Sequence, residues 1–211
     1  RVPALLGGLT GRYHPRWMGF AGNTASTIAL GAARAALDMP VVGTVPAIKP
    51  AAALSKTRAI GVLGTKATVR QPYVDRLEAE FAAGKVLLRH GAGELVGAAE
   101  AKLRGLPVDA RVIARAVAGL RDQPRGAEID TVVLACTHFP LLAEELGQAF
   151  GPGVALIHGA AGIARRIVHL TAGQPFRRLQ PDLALFTRAD AGLDLARPAL
   201  QRYGLERVEV L

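Results

Sequence analysis

The sequence predicts an α/β protein built on doubly wound parallel sheet, and three observations carry that reading. Short apolar, β-branched runs alternate with Ala-, Leu-, Glu- and Arg-rich stretches of helical length. The strand candidates are apolar throughout rather than alternating with polar residues, the pattern of parallel strands covered on both faces. With 211 residues, 50% of them hydrophobic, and a mean hydropathy of +0.25, the chain has ample material for a buried core and the length of one large or two small domains.

Taken in order, the first helix is expected over 24–37, with Thr24 at its N-cap, where a hydroxyl accepts from a free backbone N–H. A strand follows at 41–45. Val45-Pro46-Ala47-Ile48-Lys49-Pro50 reads as a joint, because two prolines stop a helix or strand from running through. The pattern then predicts a strand at 59–64, a helix at 72–83 and a strand at 85–88. Pro72 suits a first helical turn, where its missing N–H is not needed. Helices at 92–104 and 109–120 precede a strand at 129–136 and a helix at 141–150. The turn cluster Phe150-Gly151-Pro152-Gly153 leads to a strand at 154–158, a helix at 160–170, a strand at 183–187, a helix at 192–203 and a strand at 207–211. No solenoid repeat or low-complexity tract interrupts this order.

The net charge is +9, from 26 basic and 17 acidic residues. Residues 1–45, 46–157 and 158–211 each contribute +3. Only Arg165–Arg166 and Arg177–Arg178 are adjacent pairs, and aromatic residues do not interleave with them. A nucleic-acid binder concentrates its charge on one face or stripe, so an Arg-rich solvated surface is the expectation and a nucleic-acid partner is not. One cysteine excludes an internal disulfide framework and an all-thiolate zinc site. His14, His90, His138, His158 and His169 never fall at H-x-x-x-H spacing, so no metal site is expected. No apolar run approaches the roughly 20 residues that span a bilayer. The opening Arg-Val-Pro-Ala-Leu-Leu-Gly-Gly is too short and Gly-rich for a signal peptide, so a soluble, cytoplasmic protein is expected. A first residue other than Met reads as a processed, truncated or fragmentary chain.

Ligands of open parallel sheets bind at the carboxyl ends of strands, so the chemistry is sought there. The strand ending at Cys136 runs into Thr137-His138-Phe139-Pro140, which puts a thiol, a hydroxyl and an imidazole at one strand-to-helix turn. A helix starting near Pro140 would turn its free N–H groups and positive end toward the same spot, lowering the thiol pKa and giving a carboxylate something to bind. The plainer alternative keeps Cys136 as a small buried apolar group and His138 as a turn cap, and the pattern alone leaves both open. A second cluster, Phe20-Ala21-Gly22-Asn23-Thr24-Ala25-Ser26-Thr27, precedes the first long helix. Asn23 and Thr24 there suit an anion, although the residues alone favour ordinary capping by Thr24. Gly61-Val-Leu-Gly64-Thr65-Lys66-Ala67-Thr68 lacks phosphate-loop spacing, so a phosphate role is not expected, and Gly8-x-x-Gly11 is too short for a dinucleotide fingerprint.

These clusters, in this order, resemble the glutamate racemases of bacterial cell-wall synthesis. The likeness runs from about Phe20 to the C-terminus, through Ala21–Thr27, 40–46, 60–68, 130–142 and 159–165, and Ala135-Cys-Thr-His-Phe-Pro-Leu-Leu142 is its most specific string. The resemblance implies a cofactor-independent isomerase that interconverts L- and D-glutamate and supplies D-glutamate for peptidoglycan. Two cysteines would stand on opposite faces of the substrate, one removing the α-proton and the other delivering one. Carried onto this chain, Cys136 is one proton carrier; Asn23, Thr24, Thr137 and His138 are substrate contacts; and His138 also assists the thiol. The family fold is two similar α/β domains closing on the substrate, here 1–45 with 158–211, and 46–157. Glutamate is then the small-molecule partner, no membrane is involved, and a homodimer stays open.

Two departures bear on activity. Where the family has Ala-Cys-Asn-Thr-Ala this chain has Ala21-Gly22-Asn23-Thr24-Ala25, so Gly22 stands at the position of the missing first thiol. The family's opening strand ending in Asp-Ser-Gly and its Pro-Tyr-Gly loop are not in this chain, and residues 1–19 do not resemble it, so the first domain is expected to be incomplete. The expectation is a racemase by family whose own turnover is impaired. The alternative is an inactive fragment, or a relic that at most binds an acidic amino acid; aspartate racemase is a minor variant of the family reading.

Overall fold

A computed structural model describes residues 2–175, 177 and 180–211. The chain opens with a helix that the sequence pattern does not announce, α1 (Val2–Tyr13). Gly7, Gly8 and Gly11 lie inside it, and each lowers helix propensity by about 1 kcal/mol relative to alanine, which hides the signal. Its Leu6 and Leu9 pack with Met18, Ala33 and Val41 in a small cluster. That contact joins α1 to β1 (Met18–Gly19), α2 (Asn23–Ala36) and β2 (Val41–Val42). β1 and β2 pair in parallel. β2 stops short of the expected 41–45 because Gly43 meets α2, where a Cβ would sit 2.6 Å from Leu30 Cδ2. The next amide, Thr44 N–H, then leaves the ladder and donates to Ser26 Oγ at 2.8 Å.

The expected joint holds a helix, α3 (Ile48–Leu54). Pro50 falls in its first turn, where backbone N–H groups have no helical partner, so the proline is tolerated there rather than breaking the element. After it come β3 (Ala59–Gly64), α4 (Lys66–Val69), α5 (Pro72–Phe81), β4 (Val86–Gly91), α6 (Glu94–Leu103) and α7 (Ala110–Arg121). β5 (Thr131–Leu134), α8 (Ala143–Phe150) and β6 (Ala155–Ile157) complete a four-stranded parallel sheet in the order β4-β3-β5-β6.

This sheet is doubly wound, as its apolar strands predict. Every residue of β3 and β5 is buried. Leu63, Val132 and Leu134 face a layer containing Leu95, Leu120, Leu142 and Leu146. Ile60, Val62 and Val133 face the other, with Ile48, Val74 and Leu77. Each such side chain taken from water contributes about 1.5–3 kcal/mol. Gly61 lets α7 approach this sheet, since a Cβ there would lie 2.7 Å from Leu120 Cδ1.

The chain ends with α9 (Ala160–Leu170), β7 (Leu183–Phe186), α10 (Ala191–Arg202) and β8 (Arg207–Val210), with β7 and β8 paired in parallel. Among the described residues the strands of 1–45 and those of 158–211 form two separate parallel pairs. Of the two adjacent Arg pairs, Arg178 lies outside the described residues. No described helix is long and apolar enough to cross a membrane.

Candidate active site

Three strand carboxyl ends converge: 20–22 after β1, Thr65 after β3, and 135–138 after β5. The turn before α2 is held to the end of β5 at two points. Asn23 Nδ2 donates to the Ala135 carbonyl at 2.5 Å, and the Thr137 hydroxyl donates to the Ala21 carbonyl at 3.1 Å. A third link runs through hydroxyls, with Thr24 Oγ1 3.3 Å from Thr68 Oγ1, which lies 3.0 Å from Thr65 Oγ1. The sequence-predicted residues Gly22, Asn23, Thr24, Cys136, Thr137 and His138 therefore gather in one place, although the Asn23 and Ala135 partners stand 112 residues apart.

One local expectation is corrected. Thr24 is not the N-cap of α2; Gly22 takes that position, without a side-chain cap. Thr24 lies inside the first turn, and its hydroxyl faces Thr68 instead. Asn23 is buried. Its Nδ2 is satisfied by Ala135, but its Oδ1 is buried with no protein partner, leaving one acceptor for a donor from outside.

The electrostatics of Cys136 also differ from expectation. The thiol is half-buried. Burial pushes its pKa up, and the backbone N–H groups of His138 and Phe139 pull the other way without overcoming it. The reason is structural. Phe139–Leu142 is a short 3-10 helix, and α8 begins only at Ala143, so the helix expected to start near Pro140 does not begin beside the thiol. What the thiol has instead is a neighbouring base. His138 Nδ1 lies 3.9 Å from Sγ, and His138 Nε2 lies 3.1 Å from Glu100 Oε1. With Glu100 ionised, Nε2 carries the proton and Nδ1 is the nitrogen turned to the thiol.

Sequence reasoning missed Glu100, which sits mid-helix and reads like any solvated acidic residue. It also gave no role to Thr65 and Thr68, although the Gly-Thr at the end of a strand was a usable signal. Among the described residues no group of His, Cys, Asp and Glu is arranged to hold a metal ion.

The site sets a thiol, an imidazole and a carboxylate in series at a strand end of a parallel α/β scaffold, groups that can pass protons. The sequence profile of the Asp/Glu/hydantoin racemases matches residues 14–167, and the chain belongs to that family. It is 64% identical over 212 residues to the glutamate racemase of Sphingopyxis alaskensis, covering all of this chain and 79% of that one. It is 43% identical to the glutamate racemase of Erwinia tasmaniensis, covering all of this chain and 75% of that one. Among solved structures it is similar to Escherichia coli glutamate racemase in complex with L-glutamate and the activator UDP-MurNAc-ala, at 40% identity and a TM-score of 0.92 over all of this chain and 79% of that one. The RacE1 glutamate racemase of Bacillus anthracis, at 23% identity and a TM-score of 0.76, shares the fold, over 98% of this chain and 76% of that one. By family, then, this is an isomerase of the amino-acid racemase kind.

Proposed function

We propose that this chain binds glutamate where the α2 turn meets the end of β5, and that it moves the α-proton on one face only. The observation that carries the reading is that Cys136 is the one thiol of the chain, while Gly22 stands in the neighbouring turn bonded to the end of β5. The buried, unpartnered Asn23 Oδ1 is fitted to accept from the substrate ammonium. The hydroxyls of Thr24, Thr65, Thr68 and Thr137 and the backbone N–H groups of the β5 turn suit carboxylates.

In the proposed step His138 Nδ1 takes the Sγ proton, and the thiolate then takes the α-proton, leaving the electron pair on the α-carbon. The same S–H returns a proton to the same face. Inversion needs a second carrier on the far side, and a glycine has none. Incubating L- and D-glutamate separately in deuterated water tests this. At most one enantiomer should gain α-deuterium, slowly, with its configuration kept. Rapid racemisation by the chain would defeat the proposal.

One further observation favours a second ligand. A cavity of about 740 Å³ lies apart from Cys136 and is lined by Arg34, Lys49, Arg165 and Arg166 together with Tyr73 and Phe81. Lys49 Nζ stands 5.0 Å over the Phe81 ring. Cations beside aromatic faces suit a diphosphate joined to a flat base, the chemistry of the activator named with the E. coli relative. Titration with UDP-MurNAc-ala should show binding that Lys49→Ala weakens; equal binding by both chains would exclude this cavity.

A further inference from the structure

We propose that Arg104 is a positioning residue for the Cys136 thiol, acting through Glu100 and His138 and held in place by the first turn of α10. The inference deepens the reading of Cys136 as a proton carrier and rests on it. Glu100 uses its two oxygens for two different partners. Oε1 lies 3.1 Å from His138 Nε2, and Oε2 lies 3.1 Å from Arg104 Nη2. A carboxylate held at one oxygen turns freely about its last torsion, whereas one held at both presents a fixed oxygen to the imidazole. That fixes which ring nitrogen is protonated and leaves Nδ1 facing Sγ.

Arg104 is itself fixed, and by a remote part of the chain. It caps the C-terminal end of α6 and reaches to Gly192 in the first turn of α10, where a Cβ would lie 3.1 Å from Arg104 Cζ and 3.2 Å from Nε. A side chain at 192 would press on the guanidinium and shift it by a few tenths of an ångström. Arg104 Nε is buried without a hydrogen-bond partner. An unpartnered buried donor is unfavourable, and an i,i+4 pair as exposed as Arg104–Glu100 adds little stability to offset it. The arrangement makes sense as a brace for Glu100 rather than as a stabilising ion pair.

Because the chain has one cysteine, its rate of alkylation by iodoacetamide reads Cys136 alone. Arg104→Gln should slow alkylation at neutral pH by about threefold to tenfold, the scale of a weakened hydrogen bond to a charged group. Arg104→Lys, which keeps a charged donor, should restore most of the rate. Glu100→Gln should slow alkylation at least as much, and the double variant should be no slower than Glu100→Gln, since Arg104 acts through that carboxylate. The ring-nitrogen resonances of His138 should shift the same way in Arg104→Gln and Glu100→Gln. An unchanged rate and unchanged resonances in Arg104→Gln would overturn the proposal. So would additive slowing in the double variant, or faster alkylation, which would mean that Arg104 acts by its charge alone. Alkylation reports the thiol without turnover, so the result stands apart from that of the deuterium experiment.

Discussion

The side-chain amide of Asn23 donates to the backbone carbonyl of Ala135 at 2.5 Å, tying the first turn of α2 to the carboxyl end of β5. Both groups are buried, and the bond holds the Gly22 turn beside the Cys136 turn. Asn23→Ala should lower stability by about 1–2 kcal/mol, since it leaves the Ala135 carbonyl buried without a donor. It should also weaken glutamate binding through loss of the free Oδ1. Urea unfolding and calorimetric titration read the two effects; parent values in both would refute the assignment.

Gly22→Cys should confer racemisation on the chain. A Cβ at Gly22 meets only Ala25 Cβ, at 3.6 Å, an ordinary contact, so a side chain can start there without disturbing the turn. The rate of configuration change, followed by polarimetry, should rise by a factor of about 10²–10⁴ over the parent chain. Deuterium should then enter both enantiomers. A Gly22→Cys chain that exchanges on one face only would show that the facing wall lies elsewhere.

The pH dependence of alkylation follows from the burial of Cys136, which raises the thiol pKa. Raising a thiol pKa favours the neutral form, so in the ligand-free protein the reactive thiolate should appear at higher pH than in an ordinary cysteine. A rate profile rising below the ordinary thiol range would contradict this.

Asp130 gives a stability prediction. Burial alone would raise its pKa, but the backbone N–H groups of Thr57 and Lys56 and the Thr131 hydroxyl outweigh that and hold it near 2. A carboxylate whose folded pKa is depressed stabilises the fold above its unfolded pKa, and that contribution fades as pH falls through the folded value. Asp130→Asn should therefore be less stable than the parent by about 1–2 kcal/mol near neutral pH, allowing for partial exposure. The gap should close as pH falls below the ordinary aspartate range toward 2. A gap that stays constant with pH would show that the carboxylate is not the source.

Much of the central sheet was legible. β3 and α9 have the bounds that the residue pattern predicts, because a buried apolar run between turn residues and an amphipathic run after Gly159 are local signals. α1 and α3 were not legible, since glycines hid one and prolines argued against the other. At the site, the string from Cys136 to Pro140 and the pair Asn23–Thr24 pointed to two strand ends that the fold brings together. The direction of the thiol shift and the N-cap of α2 did not follow from it, because both depend on where a helix actually starts.

By itself, then, the sequence determined the α/β class, the order of most of the elements, the presence of a single thiol and the residues that resemble the racemases. These are properties of neighbouring residues and of composition. The tertiary structure decided what those residues touch: Thr24 with Thr68, Asn23 with Ala135, His138 with Glu100, and Glu100 with an Arg104 seated on Gly192. Apart from the i,i+4 pair of Glu100 and Arg104, such contacts join segments tens of residues apart. They exist only once the sheet has packed its helices, when burial decides which polar groups must find a partner and which are left without one.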